Sequence, residues 1–308
     1  MLSVRVTADH EVAVEDVLEP VPTSSEAIVE LEASSVNRGE LSLIRMRDAG
    51  WGPGQDVAGV VIAEAADGSG PPVGTRVIGL AEEGAWSERV AVQATRLARV
   101  PDDVDLAAAA ALPMAGLTAL RTLRKLGSVL GRNLLVTGAT GGVGGLQVQL
   151  AALSGARVTA LVRHEQTVAG ARALTDLDGS GPFHAALDSV GGDVLSAVVR
   201  ELSPRADLVW FGSSSGAPSP FSIYDFIGHE DVTIHTYFSY AADAAQDTAD
   251  LDILLRLVQT GQLALNTARR WPITEAAAAV HHFAAGGTLG KILLTNDNPA
   301  RSRPERSC

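Results

Sequence analysis

The stretch that decides the fold is LLVTGATGGVGGLQVQLAALSGARVTALVR, residues 134–163. An apolar run over Asn133–Thr137 leads into a glycine-rich turn, and a helical pattern follows over Val143–Leu153. A second apolar run, Arg157–Val162, closes the stretch. The order strand, turn, helix, strand within about 30 residues is typical of one unit of a parallel α/β sheet.

Three glycines occupy the turn of this unit. Gly138, Gly141 and Gly144 stand three residues apart between the first strand and the helix. A tight turn, close approach of the backbone to a pyrophosphate, and close packing of the helix on the strand each favour glycine. The N–H groups and the dipole at the start of the helix then attract phosphate. The pattern predicts a dinucleotide-binding turn; the alternative is a glycine-rich turn that binds nothing.

The end of the second strand bears on the kind of dinucleotide. An acidic residue at this place would bind the ribose 2′-hydroxyl of NAD. Arg163 and His164 stand here instead, and the first carboxylate is that of Glu165. The planar guanidinium of Arg163 suits bidentate contact with a 2′-phosphate. The sequence therefore favours NADPH over NADH, with a solvated surface arginine as the alternative.

The rest of the chain predicts two domains of different texture. Up to about residue 110, short β-branched runs alternate with Gly, Pro, Asn and Asp, which indicates a β-rich domain. Beyond it, buried strands alternate with helices, which indicates a doubly wound parallel sheet and an α/β fold class. The further predicted strands are Val57–Ala63, Arg76–Leu80, Trp86–Val92, Ala185–Val190, Leu208–Gly212 and Gly290–Thr295, and the further helices are Leu251–Thr260 and Thr274–Ala285.

Composition limits the classes of function. The chain has 36 acidic and 24 basic side chains and a net charge of −12, which disfavours nucleic-acid binding. No apolar run is long enough to cross a membrane, and no secretory signal is visible, so we expect a soluble, cytoplasmic protein. The only cysteine is Cys308, which argues against a cysteine-ligated metal. Residues 296–308 are polar and are predicted to be disordered.

Several short motifs, in their order along the chain, resemble the zinc-free quinone oxidoreductase and enoyl reductase branch of the medium-chain dehydrogenase/reductase superfamily. Besides the glycine turn, they are Ser35–Glu40, Pro53–Gly59, Val73–Leu80, Gly84–Val90, Ala109–Ala119, Asp188–Gly192 and Gly290–Lys291. The resemblance implies a GroES-like β-rich domain over residues 1–110 and 264–295. It also implies a Rossmann dinucleotide-binding domain over residues 111–263 and assembly into a homodimer.

The resemblance also implies a set of cofactor-binding residues. Gly141, Gly142 and Val143 would take the pyrophosphate. The residues expected along the ribose and nicotinamide are Val190, Gly191, Gly212 and Ser213, with Thr118 and Phe238 towards the nicotinamide end. For Phe238 an ordinary dimer-interface or core aromatic is the alternative.

The expected chemistry is hydride transfer without a metal. No cysteine lies near Asn37, where zinc-dependent relatives would have one, and the seven histidines show no i, i+3 or i, i+4 pair. NADPH would reduce the electron-poor double bond of a carbonyl compound, or a quinone, and the charge growing on the carbonyl oxygen needs a donor. Asn37 is the first candidate for positioning cofactor or substrate. Glu40 is the second, with a carboxylate that stabilises a helix N-terminus as its alternative.

Two departures from the family leave other functions open. The segment between Ala173 and Asp188 is short, so one Rossmann element would be missing, and Trp51 stands where many relatives have a tyrosine. Reduction of a carbon–carbon double bond in a biosynthetic intermediate is favoured over general quinone reduction by family analogy alone. The alternatives are a structural or regulatory protein that binds NADPH, and a non-redox enzyme on the same fold.

Overall fold

The computed structural model describes residues 1–296, which divide into two compact units. Among the described residues, the first unit comprises 1–113, 245–255 and 267–296, and the second comprises 114–244 and 256–266. The predicted domains follow the same chain order, but residues 111–113 and 245–255 group with the first unit and residues 264–266 with the second. Most of the predicted tail, residues 297–308, lies outside the described residues.

The secondary structure alternates in the way expected for a mixed α/β chain. In order, the elements are β1 (Leu2–Val6), β2 (Val12–Asp16), β3 (Glu26–Ser35), α1 (Arg38–Met46), β4 (Asp56–Ala63), β5 (Arg76–Leu80), β6 (Arg89–Gln93), β7 (Leu97–Arg99), α2 (Leu106–Ala109), α3 (Pro113–Lys125), β8 (Asn133–Val136), α4 (Gly142–Leu153), β9 (Arg157–Leu161), β10 (Arg172–Leu174), β11 (Phe183–Asp188), α5 (Gly192–Arg200), β12 (Leu202–Trp210), β13 (Thr233–Thr236), α6 (Asp247–Gln259), β14 (Thr267–Pro272), α7 (Ala276–Ala284) and β15 (Lys291–Thr295). Within residues 1–296, no helix is both long enough and apolar enough to cross a bilayer.

The first unit is built on a seven-stranded sheet. Its strand order is β14-β15-β3-β4-β5-β7, with β6 paired to β3. Strand β3 is the centre, because it pairs antiparallel with β15, β4 and β6. Most of its side chains are buried, as its apolar pattern requires. The sheet therefore brings the ends of β3, β4 and β15 together, although these strands are far apart in sequence.

The second unit is a six-stranded parallel sheet in the order β10-β9-β8-β11-β12-β13. Helix α4 connects β8 to β9, and α5 connects β11 to β12. The chain moves in one direction from β8 and in the other from β11, so a crevice opens between the carboxyl ends of these two strands. The predicted α/β fold class with a Rossmann parallel sheet is confirmed.

The structure departs from the predicted strands where tertiary pairing overrides local pattern. The predicted strand Trp86–Val92 begins three residues later, because the backbone of Trp86 bonds to Val4 and Pro53. The predicted strand Leu208–Gly212 begins at Leu202, because Leu202 already pairs with Phe183 of β11 ahead of a register shift. Strands β10 and β13 were not predicted; they are three and four residues long and too short to show a period.

The short segment before Asp188 folds without a helix. It contains the end of β10 and then a loop over residues 175–182 that leads into β11. The carboxylate of Glu201 accepts hydrogen bonds from the N–H groups of Gly179 and Gly181 at 3.0 and 2.7 Å. The sheet still has six strands, so the shortened segment lacks a helix rather than a strand.

Candidate cofactor and active site

The glycine turn joins β8 to α4 in the second unit. Gly138 has a φ of +58° and its carbonyl accepts the N–H of Gly141 at 3.0 Å. A Cβ placed on Gly144 would lie 2.2 Å from the Gly138 oxygen. The turn therefore requires glycine at 138 for its backbone angle and at 144 for the contact of α4 with the turn.

The start of α4 offers backbone donors to a ligand. Its N-cap is Gly141, which has no side chain to accept a hydrogen bond. The carbonyl of Gly141 accepts the N–H of Gly145 at 2.9 Å, so the N–H groups of Gly142, Val143 and Gly144 precede the first i to i+4 bond of the helix. An uncapped helix start with this dipole fits the pyrophosphate of a dinucleotide.

The turns that follow β11 and β12 pack against the glycine turn. The N–H groups of Ser214 and Ser215 bond to the carbonyls of Ser189 and Val190 at 3.0 and 2.9 Å. A Cβ on Gly138 would lie 2.6 Å from the Ser189 hydroxyl, and one on Gly191 would lie 3.0 Å from the Ser213 hydroxyl. The structure thus brings together the predicted residues Gly138, Val190, Gly191, Gly212 and Ser213 at one edge of the sheet.

Three other predicted cofactor residues lie elsewhere in the second unit. Arg163 is exposed, two residues beyond the carboxyl end of β9, where the sequence pattern placed it. Thr118 is 8% exposed in α3, and its carbonyl accepts the hydroxyl of Thr122 at 2.6 Å. Phe238 is 55% exposed after β13 and stacks at 5.5 Å between ring centroids on Tyr240, so it is not a core aromatic.

The two predicted catalytic residues belong to a buried polar cluster in the first unit. Asn37 lies at the start of α1, and its amide nitrogen donates to a carboxylate oxygen of Asp56 at 2.8 Å. The ammonium of Lys291 donates to the amide oxygen of Asn37 at 2.6 Å and reaches Asp56 at 3.3 Å. The hydroxyl of Ser35 also donates to Asp56. Together these contacts fix the orientation of the Asn37 amide.

Glu40 is engaged by backbone rather than exposed to a ligand. Its side chain is completely buried, and its two oxygens accept the N–H groups of Asn37 at 2.7 Å and Gln55 at 3.0 Å. This is the helix-stabilising alternative that the sequence left open. A catalytic role for Glu40 stays a prediction, and Asn37, which is half-buried, is the better placed of the two.

The environment of Glu40 favours its protonated form. Burial and, to a smaller extent, the charge of the neighbouring Asp56 raise the pKa of Glu40 from its usual 4.5 to about 8. The hydrogen bonds from Asn37 and Gln55 and the charge of Lys291 oppose the rise without cancelling it. Glu40 therefore titrates near pH 8 rather than near pH 4.5.

This pKa makes stability depend on pH. The folded protein binds the proton more tightly than the unfolded chain, so Glu40 stabilises the fold fully below about pH 4.5 and loses that contribution as pH rises through about 8. We expect the free energy of unfolding, measured by urea titration at several pH values, to fall across this window. Glu40→Gln should flatten the fall, whereas Glu15→Gln, an exposed carboxyl on β2, should not. Equal slopes in all three proteins would contradict the assignment.

Several site residues had no role assigned from the sequence. Asp56 and Lys291 lie within the short motifs that resemble the family, and each is a charged residue beside a run of buried strand residues. The same signal marks Asp188, which ends β11 and is completely buried. A charge inside an apolar strand pattern is costly unless it is paired, so it is a usable indicator of a site.

No metal site accompanies these residues. Among residues 1–296 there is no group of three or more His, Cys, Asp or Glu side chains that could hold a metal ion. Trp51, at the position of the expected tyrosine, donates its indole N–H to Glu83 at 2.6 Å. The absence of catalytic zinc stays a prediction.

Comparisons with known proteins give one consistent family. The sequence profile of the family described as zinc-binding dehydrogenase matches residues 158–294. A chloroplast envelope quinone oxidoreductase homolog from Arabidopsis thaliana is 30% identical over 89% of this chain and 91% of its own. A quinone oxidoreductase from Pseudomonas aeruginosa is 30% identical over 79% of this chain and 81% of its own. The solved structure of a mycobacterial protein complexed with NADPH has a TM-score of 0.86, with 25% identity over 96% of this chain and 99% of its own.

The fold, the glycine turn and these similarities define an NADP-dependent oxidoreductase. Within that class, the chain belongs to the medium-chain dehydrogenase/reductase superfamily, in its quinone oxidoreductase-like branch. The family resemblance inferred from the sequence motifs is confirmed.

Proposed function

We propose that the protein is an NADPH-dependent reductase that acts without a metal on an electron-poor double bond. The substrate would be an α,β-unsaturated carbonyl compound, as in enoyl reduction of a biosynthetic intermediate, or a quinone. The observation that carries the proposal is the uncapped start of α4 beside the turns that follow β11 and β12. The names of the relatives, which include quinone oxidoreductases and a 2-haloacrylate reductase, support the same range of substrates.

The second unit supplies the residues that would hold the dinucleotide. The N–H groups of Gly142, Val143 and Gly144 would bind the pyrophosphate, with Gly138 and Gly141 shaping the turn. We assign the ribose and nicotinamide to the remaining predicted set, Thr118, Val190, Gly191, Gly212, Ser213 and Phe238. When bound, NADPH supplies the hydride.

Asn37 is the proposed polar group for the substrate. Asp56 and Lys291 engage the Asn37 amide from both sides, and the amide nitrogen carries a second hydrogen beyond the one that Asp56 accepts. A donor with a fixed direction stabilises negative charge that develops on a carbonyl oxygen during reduction. We therefore propose Asn37 as the residue that orients substrate or cofactor, and we propose that Glu40 acts through the start of α1.

The cofactor preference is tested through Arg163. We expect Arg163→Ala to weaken NADPH binding by about tenfold to a hundredfold and to leave NADH binding unchanged. Only NADPH carries the 2′-phosphate with which the guanidinium would form a charged hydrogen bond. Binding is measured by nicotinamide fluorescence. The control is Arg200→Ala, which removes an exposed arginine at the far end of α5.

Each outcome of this titration has a distinct meaning. Equal affinity of the wild type for NADPH and NADH would show that Arg163 does not bind the cofactor, but it would leave the proposed reductase activity standing. Failure to bind either cofactor at millimolar concentration would refute the proposed function. With binding established, oxidation of NADPH by a panel of enones and quinones tests the reaction, and a product heavier by two hydrogens separates reduction from a non-redox step.

We further propose that the protein forms a homodimer through β13. This strand lies at the edge of its sheet, where its unpaired side can accept another strand. Ile234 on β13 is exposed, and the chain segments before and after the strand carry the exposed apolar residues Ile223, Tyr224, Ile227, Phe238 and Tyr240. Because a patch of this kind marks an interaction surface, Ile234→Lys should convert a dimer into a monomer in light scattering. A wild-type monomer at micromolar concentration would contradict this proposal.

A further inference from the structure

A buried hydrogen-bond network joins the ends of β8 and β11. The Thr137 hydroxyl donates to one carboxylate oxygen of Asp188 at 2.7 Å and accepts the N–H of Ser189 at 3.1 Å. The other carboxylate oxygen accepts the N–H of Gly191 at 2.9 Å. Thr137 immediately precedes Gly138 of the glycine turn, so a single carboxylate connects the glycine turn with the turn after β11.

The network lies in the protein interior, where an ionised carboxyl group is energetically unfavourable. Neither Thr137 nor Asp188 has any exposed surface. Burial raises the pKa of Asp188, and the hydrogen bonds from Thr137, Gly191 and Val190 oppose that rise. A small apolar pair would fill these positions without burying a carboxylate. The buried carboxylate of Asp188 instead accepts hydrogen bonds from the residue before the glycine turn and from the turn after β11, so it ties the two turns to each other.

The packing around the network is tight enough to transmit a displacement. The Ser189 hydroxyl lies 2.6 Å from the position that a Cβ of Gly138 would take, and the carbonyl of Ser189 accepts the N–H of Ser214 from the turn after β12. If Ser189 shifted, its hydroxyl would press on Gly138, and its carbonyl would displace the N–H of Ser214 that is bonded to it. The three turns at this edge of the sheet are mechanically linked through Asp188 and Thr137.

We propose that Thr137 and Asp188 are positioning residues that hold the glycine turn and the turn after β11 at the separation a dinucleotide requires. The proposal rests on the proposed function for its ligand. The network itself is a property of the second unit and is measurable without cofactor. Neither residue needs to touch the dinucleotide, since each acts through the backbone of the residues that follow it.

The test compares variants that differ in a single group. Thr137→Val removes the hydroxyl at nearly constant shape, and Thr137→Ser restores it. Asp188→Asn removes the charge at constant shape. Asp207→Asn is the control: Asp207 lies on the neighbouring strand β12, opposite Ala185 and away from the turns, and its partly exposed carboxylate pairs with Arg132 at 2.9 Å.

Two readouts are needed, the dissociation constant for NADPH and amide hydrogen exchange of the cofactor-free protein. Thr137→Val and Asp188→Asn should weaken NADPH binding by about tenfold or more, because a charge-assisted contact that sets the turns is lost. Thr137→Ser and Asp207→Asn should stay within about threefold of the wild type. Exchange should accelerate together at the glycine turn and at residues 189–191 in Thr137→Val, but not in Asp207→Asn.

The outcomes separate this proposal from the proposed function. If the wild type binds NADPH and Thr137→Val binds it equally well, the positioning role is wrong. If Thr137→Ser is as impaired as Thr137→Val, the hydroxyl is not the operative group and the proposal is also overturned. If the wild type binds no nicotinamide cofactor, the proposed function fails, and hydrogen exchange alone tests the network. Faster exchange at both turns in Thr137→Val than in the wild type would support the link between the turns, and unchanged exchange would refute it.

Discussion

Alanine in place of Gly144 is expected to weaken NADPH binding at least about a hundredfold and to lower the free energy of unfolding by about 3 kcal/mol. The added Cβ would lie 2.2 Å from the oxygen of Gly138, 2.8 Å from its carbonyl carbon and 2.9 Å from the Cα of Ala139. All three are backbone atoms, so no side chain can move aside. Helix α4 has to shift away from the turn, and its N–H donors shift with it.

The neighbouring glycine provides the control for this prediction. A Cβ on Gly145 would meet no atom closer than the Ala139 oxygen at 3.6 Å, which is an ordinary contact. Gly145→Ala should therefore keep NADPH affinity and gain up to about 1 kcal/mol of stability from helix propensity. Fluorescence titration and urea denaturation of both variants measure the two effects. Similar behaviour of the two alanine variants would contradict the steric role of Gly144.

Methionine in place of Lys291 is expected to lower the free energy of unfolding by about 3–5 kcal/mol. The ammonium lies within 2.6 Å of the Asn37 amide oxygen and 3.3 Å of a carboxylate oxygen of the completely buried Asp56. Removing the cation leaves negative charge in a poorly solvated place, and desolvation makes that state costly. The Asn37 amide also loses one of the two partners that orient it, so turnover should fall with stability.

An exposed ion pair of the same unit is the control for Lys291. Arg270 reaches Asp105 at 3.0 Å, but both side chains are about half exposed. Water and salt screen such a pair, so Arg270→Met should change stability by less than about 1 kcal/mol. Urea denaturation at constant pH compares the two variants. A loss at Lys291 no larger than the loss at Arg270 would show that the buried cluster is not held by its charge pairing.

The relation between sequence and structure differs from element to element. Strand β8, helix α4 and strand β9 were predicted within a residue or so, because their periodicity and the glycine spacing lie within one short stretch. Strands β10 and β13 carry no comparable pattern, and their pairing with β9 and β12 defines them. The early start of β12 depends on the pairing of Leu202 with Phe183 of β11, which local sequence does not encode.

The candidate site shows the same division. The glycine turn and the exposed Arg163 lie where the sequence pattern placed them. For Glu40 the sequence left two roles open, and the structure shows both of its oxygens accepting backbone N–H groups. For Phe238 the sequence left three roles open: cofactor contact, dimer interface and core packing. The exposure of its side chain excludes core packing, and the other two roles remain proposals.

The sequence by itself determined the fold class, the place of the glycine turn and the family, because these depend on the order and spacing of residues along the chain. Only the tertiary structure decided which charged groups meet. Asp56 and Lys291 are 235 positions apart, and β3 brings them together by pairing with both β4 and β15. Thr137 and Asp188, 51 positions apart, meet because β8 and β11 are adjacent in the sheet. Contacts of this kind follow from strand order, which is set by the packing of the whole sheet and not by any local pattern.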